Sequence, residues 1–197
     1  MSETRLLLRN VEIVSPFEQS KTVDILIYNG QISELSNTNQ SITATVFDLN
    51  NLSVFPGFID IHNHGAVGID VNSATADGLR KVSKFLASQG ITAWLPTFVP
   101  DSAENYQKVI DRIDEVMRTQ DSEASEPAAR ILGVHYEGVF ANEKMCGALR
   151  PQYFKTFRNG DEIREIPKLE SGVHLTTLAP EIENGVELVK NLVAEGW

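Results

Sequence analysis

The chain has 197 residues, 42% of them hydrophobic and 22% charged, which is enough apolar material for a packed core and too little net polarity for a disordered chain. Its formal net charge is -10, which argues against nonspecific nucleic-acid binding, since that needs a basic surface. A single cysteine, Cys146, excludes a disulfide framework within the chain. No apolar run approaches the roughly 20 residues that cross a bilayer, so a soluble cytoplasmic protein with no membrane partner is expected.

The first part of the chain reads as β. Residues 5–14 are rich in Leu, Val and Ile. Residues 22–28 alternate in part and meet Asn29-Gly30, a strong hairpin turn signal, and residues 31–35 continue on the far side. Residues 43–49 are a further strand candidate. Together these predict a small antiparallel unit over residues 1–54.

From residue 55 the grammar changes to strand followed by helix. Residues 58–61 form a short apolar strand. Residues 75–89 have helical spacing, with Leu79, Val82, Phe85 and Leu86 on one face and Gly90 as the stop. Residues 91–99 are a second strand. Residues 102–119 are a second helix with Tyr106, Val109, Ile110, Ile113 and Met117 as its stripe. Strands over 131–136 and 173–179 and a helix over 184–195 complete the series. About four such βα units predict an α/β fold with a parallel sheet covered by helices. The long irregular stretch 141–172 lies where α/β proteins place chemistry, beyond a strand C-terminus.

His62 and His64 stand two apart at a strand end, so both imidazoles can face one cation. Two exposed or otherwise satisfied histidines are the bland alternative. Asp60 shares their parity and either orients a histidine as a supporting carboxylate or caps a turn. His135 and Glu137 end the third strand on one face, and Glu137 is either an oxygen ligand or a surface glutamate. Lys144 and Arg150, in the loop beyond, are candidate phosphate donors. His174 lies at the N-terminal side of its strand, where a structural role is expected. Glu181 faces the active end or caps the following helix.

The segment Pro56-Gly-Phe-Ile-Asp-Ile-His-Asn-His-Gly65 resembles the first barrel strand of the amidohydrolase superfamily. The stretch from His135 to Ala148 resembles the His-Leu-Glu-Gly-Pro-Phe segment, with its downstream Lys-Gly-Ala-His, of the N-acetylglucosamine-6-phosphate deacetylases. Leu178-Ala-Pro-Glu181 is similar to that family's Leu-Ala-Pro-Glu. The resemblance implies a (β/α)8 TIM-type barrel with a small β-sandwich, of which residues 1–54 would be the sandwich portion and residues 55–197 the first half of the barrel. It implies hydrolysis of the acetamide of N-acetylglucosamine 6-phosphate, a phosphorylated amino sugar, to glucosamine 6-phosphate and acetate. A divalent ion, zinc or iron, would activate water and polarise the carbonyl while an aspartate carries the proton. By the same resemblance Glu137 binds metal, the His62 and His64 pair can hold a second metal, and Ala148 and Leu149 contact the sugar; Asp60 and His135, from their places on the strands, are the candidate supporting residues.

This sequence departs from the family pattern at Tyr136 (leucine in the family), Val139 (proline) and Leu149 (histidine). The family's proton-carrying aspartate, further metal histidines and phosphate-binding arginine would lie beyond the position of Trp197. The 197 residues are therefore expected to be inactive alone, and to form a homo-oligomer or associate with a complementary half. A non-catalytic partner of a complete enzyme, or an amidohydrolase for another small amide, are the competing expectations.

Overall fold

The computed structural model describes residues 4–15, 18–36, 43–122 and 126–197. The chain divides into two compact units, Met1–Pro56 and Gly57–Trp197.

In the first unit, β1 (Arg5–Ser15), β2 (Glu18–Tyr28) and β3 (Gln31–Ser36) form an antiparallel meander. Asn29 and Gly30 both have positive φ, 48° and 79°, which is the backbone of a tight two-residue hairpin turn with Tyr28 opposite Gln31. The expectation of a wholly antiparallel unit fails at its other side. β4 (Thr45–Asp48) and β5 (Ser53–Val54) both pair parallel to β1, on the edge that β2 leaves open. The β2–β3 hairpin intervenes in sequence, so the chain returns to β1 by a crossover, and a crossover sets strands parallel. Asn10 makes a bulge in β1, with φ 57° and its N–H donated to Asp24 at 2.9 Å. Val11, Val23 and Ile25 are the buried core of this unit.

The second unit is α/β, as the strand–helix grammar predicts. Its strands are β6 (Phe58–Asn63), β7 (Ile91–Phe98), β8 (Arg130–Ile131), β9 (Gly133–Glu137) and β10 (Val173–Thr177). They are parallel in the order β10-β9-β7-β6, with β8 beside β7. The third expected strand is thus two pieces, broken at Leu132, and the first piece pairs only with β7. Helices α1 (Ala76–Ser88), α2 (Ala103–Thr119) and α3 (Asp161–Arg164) lie in the connections between them, and α4 (Gly185–Ala194) follows β10. No helix among the described residues is long and apolar enough to cross a membrane.

Local chemistry explains the helix bounds. Thr75 accepts the Gly78 N–H at 3.1 Å and Ser102 accepts the Asn105 N–H at 3.2 Å, which satisfies donors that a helix start leaves open. Past α1, Gly90 takes φ 81°, a conformation that costs a side chain and stops the helix there. Leu79, Val82 and Leu86 are buried as the spacing predicts, but Phe85 is 39% exposed. The buried position on that face belongs to Ser83, whose hydroxyl accepts the Trp94 indole N–H at 2.9 Å. The α2 stripe is buried as read, apart from Met117, which is only partly so.

Tyr136 occupies the centre of this core. Its ring meets Phe98, Tyr106 and Trp197 at centroid distances of 4.9, 5.0 and 5.4 Å, and its hydroxyl donates to the Pro167 carbonyl at 2.6 Å. A buried ring of this size removes substantial apolar area from water, and its polar end is matched. His174 stays structural, accepting the Leu169 N–H at 3.0 Å. The edge strand is different in kind: Phe58, Ile59 and Ile61 of β6 remain 66, 60 and 55% exposed.

Candidate metal centre

Parallel pairing brings the strand ends to one edge. Asn63 aligns with Pro96, Thr97 with His135, and Glu137 with Thr177. The side chains that sequence parity singles out therefore emerge together. The Nε2 atoms of His62 and His64 lie 3.1 Å apart, and they stand 3.4 and 3.0 Å from Glu137 Oε2. One ligand atom from each of these residues falls within 4.8 Å of the others. Ligands held at about 2.05 Å around a tetrahedral zinc stand roughly 3.3 Å from one another. The donor triangle matches one face of such a polyhedron without rearrangement. Two neutral imidazoles and a carboxylate are also ligands that suit zinc or iron.

The triangle is held from behind. His64 donates its Nδ1–H to the Thr97 carbonyl at 3.2 Å, which leaves the Nε2 lone pair facing Glu137. Thr97 Oγ1 accepts the Asn63 N–H at 2.8 Å and locks the backbone between the two histidines. Asn63 accepts the Gly65 N–H at 2.8 Å, and Gly65 turns the chain with φ 121°. A Cβ there would stand 1.9 Å from the Ile69 carbonyl oxygen, so this turn admits only glycine.

Of the two expectations for Asp60, its contacts are those of a turn cap and not of a carboxylate bonded to an imidazole. Its oxygens accept the His62 backbone N–H at 3.2 Å and the Asn63 side-chain amide at 2.8 Å. It shapes the turn that presents the histidines. His135 is 2% exposed and does not join the donor triangle. Its Nε2 meets Thr177 Oγ1 at 2.8 Å, its Nδ1 meets Thr97 Oγ1 at 3.4 Å, and its ring abuts that of His62 at 4.8 Å. Burial, reinforced by the neighbouring His62, pushes its pKa down to about 4, with Glu137 opposing. Thr97 and Thr177 are the functional residues that sequence reading missed. Their signal was position, since each stands at or near the C-terminal end of a strand beside a histidine-bearing one.

Beside the triangle opens a cleft of about 620 Å³ lined by His64, Glu137, Ala148, Leu149 and Glu181 among others. Ala148 and Leu149 therefore do face it. Leu149 lies over Gly138, where a Cβ would stand 2.3 Å from its Cδ1. Glu181 does not cap α4, whose first turn has no side-chain cap. It accepts the Asn142 amide at 3.0 Å, a bond that lowers its pKa. Lys144 and Arg150, the candidate phosphate donors, are not among the lining residues, and the Arg150 guanidinium is paired with Asp101 at 3.3 Å.

No family model matches the chain. It is 35% identical over 155 residues to the N-acetylglucosamine-6-phosphate deacetylase of Danio rerio, a match covering 76% of this chain and 37% of the relative. It is 29% identical to the enzyme of that name from Bacillus subtilis, over 96% of this chain and 48% of the relative. The crystal structure of the Thermotoga maritima N-acetylglucosamine-6-phosphate deacetylase superimposes with a TM-score of 0.74 at 28% identity, covering 95% of this chain and 46% of the other. The chain spans between about a third and a half of the length of these relatives. Most of the chain is thus similar in sequence and fold to N-acetylglucosamine-6-phosphate deacetylases, over part of their length.

Proposed function

We propose that the chain carries the N-terminal half of a deacetylase that hydrolyses the acetamide of N-acetylglucosamine 6-phosphate to glucosamine 6-phosphate and acetate. The observation that carries this reading is the convergence of His62, His64 and Glu137 at the mouth of a cleft, in a chain homologous to enzymes of that name. In this reading β6 to β10 are the opening strands of a (β/α)8 barrel, residues 1–54 belong to a small β-sandwich, and the protein works in the cytoplasm.

His62, His64 and Glu137 would hold a divalent ion, zinc or iron. When bound, such an ion supplies Lewis-acid polarisation of a carbonyl and lowers the pKa of water. The chain's own residues do the rest of what lies within reach. Thr97 keeps His64 in the tautomer that leaves Nε2 free, and Asp60 and Asn63 fix the turn. Ala148 and Leu149 border the space for the sugar, where Leu149 offers van der Waals surface and no hydrogen bond. Phosphate recognition falls to groups outside this cleft, whose charged lining residues are the carboxylates Glu137 and Glu181.

The test is metal content by mass spectrometry of the purified chain, followed by titration of the zinc-loaded chain with N-acetylglucosamine 6-phosphate by saturation-transfer NMR. One ion per chain or more, and a sugar signal lost on His62→Ala/His64→Ala substitution, is the expected result. A chain without stoichiometric metal, or a sugar signal indifferent to the histidines, overturns the proposal.

A second reading concerns partners. The exposed apolar residues Phe58, Ile59 and Ile61 sit on β6, which pairs on one side only among the described residues. Open strands of this kind associate. The chain is expected to form a homo-oligomer or to bind a complementary half, and a dilute monomer in sedimentation velocity would refute this.

A further inference from the structure

The loops that build the site are joined at one carboxylate. Asp101 follows β7, and its side chain is only 13% exposed. Its Oδ2 accepts the amide of Asn72, from the loop after β6, at 3.1 Å, and the amide of Asn105, in α2, at 3.0 Å. The same oxygen pairs with the Arg150 guanidinium, from the loop after β9, at 3.3 Å. Its Oδ1 accepts the Ser102 N–H at 2.8 Å. Asn72 is clamped in turn, accepting the Val99 N–H and donating to the Val99 carbonyl, each at 3.0 Å. Three loops from three different strands thus meet at a single side chain.

Arg150 is the chain neighbour of Leu149 and follows Ala148, the pair that borders the cleft. Next to the cleft-lining pair the backbone ties are local: Leu149 donates its N–H to the Cys146 carbonyl at 3.1 Å, and Tyr153 donates to the Arg150 carbonyl at 3.1 Å. These turns fix the loop's internal shape but do not fix it to the rest of the site. Leu149 itself touches Gly138 only by van der Waals contact. The loop is anchored at its start by the Asn142 amide, donated to Glu181 at 3.0 Å, and beyond Arg150 by the Lys155 N–H, donated to the Val139 carbonyl at 2.8 Å; between these anchors the charge pair to Asp101 fastens the segment that carries Ala148 and Leu149. Burial works against the Asp101 charge, but the Ser102 N–H, Asn72, Arg150 and Asn105 together outweigh it and hold the pKa below the usual value.

We propose that Asp101 is a positioning residue that acts through Arg150, pinning the loop carrying Ala148 and Leu149 at the working distance from the histidine–glutamate triangle. The proposal rests on the functional reading above for what occupies the cleft, and on the geometry alone for the pinning. It assigns Asp101 no contact with substrate or metal. It makes the loop's order, and with it ligand affinity, depend on the pair, while the candidate metal ligands stand on β6, directly after it and on β9, and stay unaffected.

The test uses the full chain with Asp101→Ala, Arg150→Leu, the double variant and Arg150→Lys. Arg150→Leu guards against misfolding, because that side chain is 40% exposed and its loss leaves the Asn72 and Asn105 bonds in place. Hydrogen exchange read by mass spectrometry should quicken at least tenfold in peptides spanning 142–150 in both single variants. The double variant should be no faster than Asp101→Ala, and Arg150→Lys should regain part of the protection. Zinc affinity should stay within twofold throughout, and the Kd for N-acetylglucosamine 6-phosphate should weaken at least fivefold in the zinc-loaded chain. Exchange that quickens evenly over residues 57–197, unchanged exchange in 142–150, or effects that add in the double variant would overturn the positioning role. If the sugar phosphate binds neither parent nor variants, the functional reading fails, and loop exchange still decides whether Asp101 pins the loop.

Discussion

Removing the Glu137 carboxylate is the sharpest probe of the metal centre. Glu137 Oε2 is the only oxygen in the donor triangle and the only member on β9, with its imidazole neighbours 3.0 and 3.4 Å away on the β6 side. Structural zinc sites gain roughly 10–16 kcal/mol from a full ligand set, so one ligand in a small set is worth on the order of 3 kcal/mol. At 1.4 kcal/mol per tenfold, Glu137→Ala should weaken zinc binding about a hundredfold. Thr97→Val should do less, because Thr97 holds His64 with its backbone carbonyl, which survives the substitution. The lost Oγ1 leaves the Asn63 N–H unpaired, and supporting contacts of this kind are worth about tenfold to a hundredfold in affinity. Competition against a chromophoric chelator at pH 7.5 gives both Kd values, and thermal melts of the apo chains show that each variant folds. A Glu137→Ala chain that binds zinc within twofold of the parent would refute the argument that β9 contributes a ligand.

Two further expectations concern the frame around the site. Tyr136→Phe leaves the Pro167 carbonyl without its 2.6 Å donor, a loss of about 1–3 kcal/mol; at about 2–4 °C per kcal/mol for a chain of this size, calorimetry should find the midpoint lower by several degrees. Asp114 has its pKa raised, first by burial, with the Glu170 N–H opposing. A carboxyl with a raised folded-state pKa favours the protonated form, so its contribution to stability is present below the unfolded pKa and lost as pH rises through the folded one. Asp114→Asn should therefore gain on the parent as pH rises from the ordinary 3.8 towards neutrality, and urea melts at pH 4 and 7 that show the opposite trend would contradict this.

Much of the second unit was legible because its signals are local. Thr75 and Ser102 read as helix starts, Gly90 as a stop, and the apolar stripe of α2 as its buried face. Parity alone placed His62 with His64 and His135 with Glu137. What parity cannot give is which strand neighbours which, and that decides the rest. The parallel return of β4 and β5 to β1 depends on a crossover that no dipeptide signals. His135 shares a face with Glu137 yet is drawn under the site, because β7 and β10 supply hydroxyls on either side of it, from Thr97 and Thr177. Arg150 looked like a free cation for phosphate because Asp101 lies far off in sequence. Phe85 looked buried because helical spacing does not reveal that Trp94 needs a hydroxyl partner, which Ser83 supplies.

The strand that carries the histidines is also the one with the weakest hold. β6 pairs with β7 alone in the described sheet, its ladder shifts register between Asp60 and Asn63, and its apolar side chains face solvent. A lone edge strand opens at low free-energy cost, and residues so placed lose orientation first. The polar ties at Thr97 compensate at one end only, at Asn63 and His64. Glu137 lies on β9, which β7 separates from β6, so an ion shared by His62, His64 and Glu137 would bridge strands that make no backbone pair with each other. Binding would then act as a clamp on the edge. At a free ion concentration of 100 times Kd the clamp is worth about 2.7 kcal/mol to the folded state. Residues that hold such an ion would serve the fold as well as the chemistry, and the order of β6 would then depend on what binds at its end.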